Sequence, residues 1–180
     1  MNPFAELGNA AIGWLDLIAA RDGAAARFGT TGRSVANAIG FFFVMLVGCL
    51  LIQALVFGGD WLSLWIAIAI AALPLLGALT VTWISATVLR MPAQPMLAAV
   101  AYALAFAWPL RLAGLVLLRT DIGLALFGAL GYLFYRAARV IGAQPPATAI
   151  AYAIVAVIAL VLMPFALYML TASGPLPDPQ

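Results

Sequence analysis

The chain contains no histidine, no lysine and a single cysteine, and only 8% of its 180 residues are charged. Without histidine there is no imidazole to act as a general base, to ligate haem or to complete a Cys/His zinc site, and the lone Cys49 cannot close an internal disulfide. Eight arginines against six acidic residues leave a net charge of +2, too small a bias for a nucleic-acid partner. What is abundant is apolar: 67% of the residues are hydrophobic and the mean hydropathy is +1.16. A soluble domain is about half apolar and about a quarter charged, so this chain has too little polar surface to coat a water-soluble globule. The composition specifies an integral membrane protein of the all-α class, a polytopic transmembrane helical bundle.

Five apolar stretches, at about residues 34–58, 61–89, 96–118, 122–139 and 147–170, approach or exceed the ~20 residues that cross a ~30 Å hydrocarbon layer. The fourth is the shortest. Short polar breaks separate them: Gly58-Gly59-Asp60, the proline-bounded Met91–Pro95, Arg119-Thr120-Asp121 and the segment from Gly142 to Pro146. Asp121 is placed to cap the fourth helix or to sit as an acid in its first turn. Pro74 is expected to kink the second helix, while Trp61 and Trp65 at its start match an interfacial aromatic belt.

Residues 1–33 form a separate N-terminal region, and 171–180 a mobile proline-rich tail. Phe4, Leu7, Ala11, Trp14, Leu15 and Ile18 recur at helical spacing, so residues 4–20 read as an amphipathic helix lying in the membrane interface, with Trp14 at headgroup depth. A helix packed on loops of the same protein is the alternative. Glu6, Asp16, Arg21 and Asp22 interrupt any signal-peptide pattern, so this segment is expected to persist in the mature protein. With the N-terminus cytoplasmic, Arg21, Arg27, Arg33, Arg90, Arg136 and Arg139 all fall inside, and only Arg119 falls in an outer loop. The expectation is N-in and C-out with five spans.

Candidate chemistry is sparse. Arg111 is the ionisable residue within a span, two positions after Pro109, and a charge at that depth is costly unless it pairs or reaches the interface. It is read either as an anion or substrate contact, helped by the carbonyl that Pro109 leaves without its usual donor, or as an arginine that snorkels outward or pairs with Asp121. Asn37, Gln53, Thr80, Thr82, Ser85 and Thr87 are expected to bond across helices or back to a carbonyl one turn earlier. No span contains an Asp or Glu, so a carboxylate relay of the secondary-transporter kind has nothing to work with. Ala99, Ala103 and Ala107 on the third span, with Ala149 and Ala153 on the fifth, mark faces where helix backbones approach closely, and Gly128 and Gly131 are assigned the same purpose. Cys49 is a small apolar filler. No catalytic residue, metal site or cofactor is expected.

The run VAYALAFAWP, from Val100 to Pro109, and the run YLFYRAARVIGAQPPATAIAYAI, from Tyr132 to Ile154, resemble segments of bacterial Yip1-domain proteins, where a span with tyrosines ends in a basic turn and leads into an Ala-rich last helix. The resemblance covers about residues 35–170. It implies a five-span, non-enzymatic membrane protein with a cytoplasmic N-terminus. Eukaryotic members associate with small GTPases, but this chain lacks the long acidic and aromatic N-terminal region that goes with that role. Its lysine-free, Ala- and Arg-rich composition fits a GC-rich bacterial genome and hence the bacterial inner membrane.

Two functions compete. The first is a non-catalytic, Yip1-like protein that organises or accompanies another membrane complex, its partners being membrane lipids and another membrane protein or a second copy of the chain. The second is a channel, lipid-handling protein or transporter built on the kinked second and third spans. A cavity reaching Arg111 favours the second, and a solid bundle favours the first.

Overall fold

A computed structural model describes residues 3–19, 21, 23–58 and 61–172. Most of the anticipated 171–180 tail therefore lies outside the described residues, as does the Trp61 side chain. Six α-helices account for most of the rest, with no strand among the described residues: α1 Pro3–Ile18, α2 Gly32–Phe57, α3 Trp61–Val88, α4 Ala93–Ala113, α5 Gly123–Val140 and α6 Pro146–Ala172. A 3₁₀ turn, Ala24–Phe28, joins α1 to α2, and α4 runs on into a π-helical turn, Gly114–Leu118.

Local chemistry sets the boundaries. Thr31 caps α2 by accepting from the Ser34 N–H at 3.3 Å, and α2 stops at Gly58, whose φ of 77° lies where a side chain is disfavoured. Pro95 and Pro146 occupy the first turns of α4 and α6, where a missing N–H costs no helical hydrogen bond. Pro74, Pro109 and Pro164 instead lie inside helices that continue through them, each removing the donor for the carbonyl four residues earlier.

Four helical segments are long and apolar enough to cross a membrane: Gly32–Phe57, Leu64–Val88, Ala93–Leu118 and Pro146–Ala166. The fourth anticipated stretch, now α5, is not among them, because its 18 residues carry Arg136 and Arg139 in the last two turns. α5 nevertheless runs between the two ends of the bundle. At one end, called proximal here, the Gln144 side chain just after α5 donates to the Leu89 carbonyl after α3, and Asn37 of α2 donates to Glu6 of α1 at 2.6 Å. At the distal end, Asp121 just before α5 meets Arg111 of α4.

α4 is the axis of the bundle. Pro95, Met96 and every residue from Ala98 to Ala105 are buried, so the helix is covered on all faces rather than along one stripe. Ala98, Ala99, Ala101, Ala103 and Ala105 make this possible, because methyl side chains let neighbouring backbones come close from several directions. α2, α3 and α5 pack around α4, whereas α6 packs against α3 and α5 and stands off it. Ala149 and Ala153 are buried on α6, and Gly77 of α3 lies so close that a Cβ there would sit 3.1 Å from the Ala159 carbonyl oxygen. Of the two α5 glycines expected at contacts, Gly131 faces Val157, but Gly128 faces open space.

The N-terminal helix is present, but Trp14 is not the interfacial residue expected of it. It is buried, with its ring edge-on to Phe28 at 5.5 Å, and Gly13 leaves the room in which Phe28 approaches. The tryptophan thus secures the 3₁₀ turn against α1, a use of its apolar area that helical spacing alone does not distinguish from interfacial exposure. Ile12, Leu15 and Ile18 form the outward apolar face of this helix. Trp65 is exposed at the distal end.

Candidate functional site

Because α6 stands off α4, a cavity of ≈ 650 Å³ opens between them in the distal half, with α3 and α5 as side walls. This lies within the ~300–1,000 Å³ of ordinary small-molecule sites. Its walls are almost wholly apolar: Phe42 from α2, Pro74 from α3, Leu104 and Ala107 from α4, Phe127 and Leu130 from α5, and Leu160 from α6. Ala107, expected only to let helices touch, is half-buried here and contributes space.

The charged groups on this cavity are Arg111 and Asp121, with the Trp108 indole beside them. Arg111 donates through Nε to Asp121 Oδ1 at 3.2 Å and through Nη2 to Oδ2 at 2.8 Å, a two-pronged fork between planar groups. Asp121 Oδ1 also accepts from the Gly123 N–H at 2.9 Å, so the carboxylate ties down the first turn of α5 from one residue before the cap position. The guanidinium carbon lies 5.9 Å from the Trp108 ring centroid, adding a cation–π contact one turn down the same helix. The Arg111 hydrogen bond, with help from Gly123, holds the Asp121 carboxyl below the usual carboxylate range, so the residue is ionised at neutral pH.

Both side chains are about half exposed. A pair of this kind is worth at most about 1 kcal/mol, so it contributes little as a structural staple. Arg111 lies 18 residues beyond Ala93, about 27 Å along α4 at ~1.5 Å per residue, close to one full hydrocarbon thickness from the proximal end. The pair that the sequence offered as one reading of Arg111 is therefore formed, and it is formed on a cavity.

Pro109 lies half-buried on the opposite side of α4, in an apolar groove with Gly48, Cys49 and Leu112, and it is not a wall of this cavity. Downstream of it the helix widens into the π turn, and the Gly114 carbonyl accepts from the Arg119 N–H as the chain reverses. Gly114 leaves room that the Ile122 side chain fills, since a Cβ would lie 2.7 Å from Ile122 Cγ1.

Several polar contacts escaped the sequence reading. Asp16, nearly buried, receives Arg21 at 3.2 Å and Arg27 at 2.7 Å. Arg136 and Arg139, counted only as positive charges beside a membrane, each reach a backbone carbonyl, those of Leu17 and Gln144. Thr82 fulfils both roles foreseen for such residues, donating to the Ala78 carbonyl at 2.7 Å and sharing a hydrogen bond with Tyr152 of α6 at 2.8 Å. Among the described residues no three of His, Cys, Asp and Glu converge as metal ligands would. No family model, curated protein or solved structure matches the chain.

Proposed function

We propose that this chain is a non-catalytic membrane protein that holds a bilayer amphiphile, the apolar part in the cavity between α4 and α6 and the polar part at the Arg111–Asp121 pair. One observation carries the reading: an apolar cavity of ≈ 650 Å³ whose charged groups form a single ion pair. Apolar walls with a small number of placed polar groups are what recognises a lipid-like molecule, since each buried CH₂ contributes about 0.8 kcal/mol and the polar groups fix orientation. The Yip1-like organising role rests on the sequence resemblance.

The experiment is to fill the cavity. Ala71→Phe and Ala107→Phe, on the α3 and α4 walls, are expected to leave the protein monodisperse while removing most of the lipid that survives delipidating detergent, measured by native mass spectrometry. Undiminished lipid in both variants overturns the reading.

The same proposal includes five spans with the N-terminus cytoplasmic and the C-terminus outside, in a bacterial inner membrane, with α1 near the cytoplasmic interface. Support comes from α5 running between the two ends of the bundle and from six of the eight arginines falling at the proximal end. In a Cys49→Ala background, Thr120→Cys is expected to label only from outside and Ala143→Cys only from the cytoplasm. Labelling of both from one side would rule out α5 as a span.

A further inference from the structure

The ion pair also restricts which amphiphile fits, an inference that rests on the cavity reading above. Guanidinium has five N–H donors, and the fork to Asp121 engages one on Nε and one on Nη2. Three donors remain beyond the fork. A carboxylate offers about four lone-pair positions, of which Oδ1 uses two, for Arg111 Nε and the Gly123 N–H, and Oδ2 uses one, for Arg111 Nη2. One acceptor position remains, on Oδ2. The pair thus presents a surplus of donors beside a single acceptor, with a formal charge of zero.

We propose that the ligand is a phospholipid whose zwitterionic headgroup couples a phosphate to a primary ammonium, the phosphoethanolamine type. Its phosphate oxygens accept from the remaining Arg111 donors, its ammonium donates to Asp121 Oδ2, and one acyl chain enters between Ala107, Phe127, Leu130 and Leu160. Both complementary charges are then met without breaking the Arg111–Asp121 fork. An anionic headgroup with no ammonium would bring a phosphate charge beside the Asp121 carboxylate, leaving the single Arg111 cation to serve two anions. A quaternary ammonium has no N–H to give to Oδ2. Arg119, on the same turn as Asp121, is exposed and is not a wall of the cavity. The distance of Arg111 from the proximal end puts the pair at headgroup depth, where a phosphate can reach it while the chain stays in hydrocarbon.

The test reconstitutes delipidated protein into vesicles of equal parts phosphatidylethanolamine, phosphatidylcholine and phosphatidylglycerol, then measures by native mass spectrometry which lipid stays bound. Wild type is expected to retain phosphatidylethanolamine over each of the others by on the order of fivefold, the ratio that an exposed charged contact of about 1 kcal/mol supports. Asp121→Asn, close to isosteric, removes the ammonium's partner and leaves Arg111 unopposed, so its preference should pass to phosphatidylglycerol. Arg111→Leu should lower retention of all three. Wild-type preference for either competitor, or equal retention of all three, overturns the headgroup assignment, and that result needs no variant to fold. Ala107→Phe separates the two levels. If it abolishes retention while wild type shows no headgroup preference, only this inference fails; if it and Ala71→Phe both leave retention unchanged, the cavity reading fails.

Discussion

Gly77→Leu is expected to destabilise the bundle by about 2–4 kcal/mol, one of the two largest effects foreseen for a single substitution. A Cβ at this position would stand 2.9 Å from Met163 Cγ and 3.1 Å from the Ala159 carbonyl oxygen. The methionine can swing aside, but the carbonyl belongs to the backbone of α6, so relief requires the helix to move. Inserting side-chain volume at so close a contact costs about 1–3 kcal/mol. The displacement would also stretch the buried hydrogen bond between Thr82 and Tyr152, five residues further along the same α3–α6 contact, and an unsatisfied buried hydroxyl costs about 1–3 kcal/mol. The two penalties overlap, because a shift of α6 that relieves the first produces the second. Gly128→Leu is the control: that site has open space around it and lies on an exposed face, so the change should be close to neutral or slightly stabilising through helix propensity. Thermal unfolding of the detergent-solubilised protein measures both variants. Equal shifts for Gly77→Leu and Gly128→Leu would show that the α3–α6 contact does not depend on a missing side chain.

Those two glycines mark where sequence reading stops. Both sit in apolar helices, and the pattern of small residues gives each the same claim to a contact. Which one touches another helix depends on the rotation of α3 and α5 about their axes, and an apolar residue gives little information on rotation when nearly every neighbour is apolar too. The same limit hides the burial of Trp14 and the position of α4 as the axis. Several helix boundaries were legible because they are written in polar and conformationally special residues: Gly58, Pro92, Asp121 and Pro146 each act on adjacent backbone, whereas the Thr31 cap that starts α2 at Gly32 was not read. The Arg111–Asp121 pair was legible for a related reason, since its partners lie ten residues apart across one tight turn. The cavity was not. It exists because α6 is held by α3 and α5 and kept from α4, a relation among four helices that no spacing within one of them encodes.

Arg136 is the plainest case of a residue whose charge was visible and whose partner was not, and its removal is the second large effect expected. Near the C-terminus of α1 the Arg21 N–H bonds to the Asp16 carbonyl instead of the Leu17 carbonyl, which leaves the latter without a regular helical donor. Arg136, 119 residues away on α5, donates to it through Nε at 2.8 Å and Nη2 at 2.7 Å. The contact gives this carbonyl a donor in place of the Arg21 N–H and also sets a cation at the negative end of the α1 dipole. Arg136→Met keeps the apolar stem and deletes the head, so packing changes little and the charge-assisted hydrogen bonds are lost, at about 1.5–3 kcal/mol. The deficit should appear first in α1. Among the described residues its other polar tether to the helical bundle is the Glu6–Asn37 hydrogen bond near the opposite end, whereas the Asp16 cluster with Arg21 and Arg27 ties α1 to its own following turn and would travel with it. Amide exchange in residues 7–18 is therefore expected to accelerate roughly tenfold or more, the factor matching about 1.4 kcal/mol of local stability, while exchange in α4 changes far less. Arg136→Lys should recover part of the protection, since an ammonium can reach the carbonyl but cannot present two donors from one planar group. Unchanged exchange of α1 in Arg136→Met would mean that burial of Ala10, Trp14 and Leu17 holds the helix without the arginine.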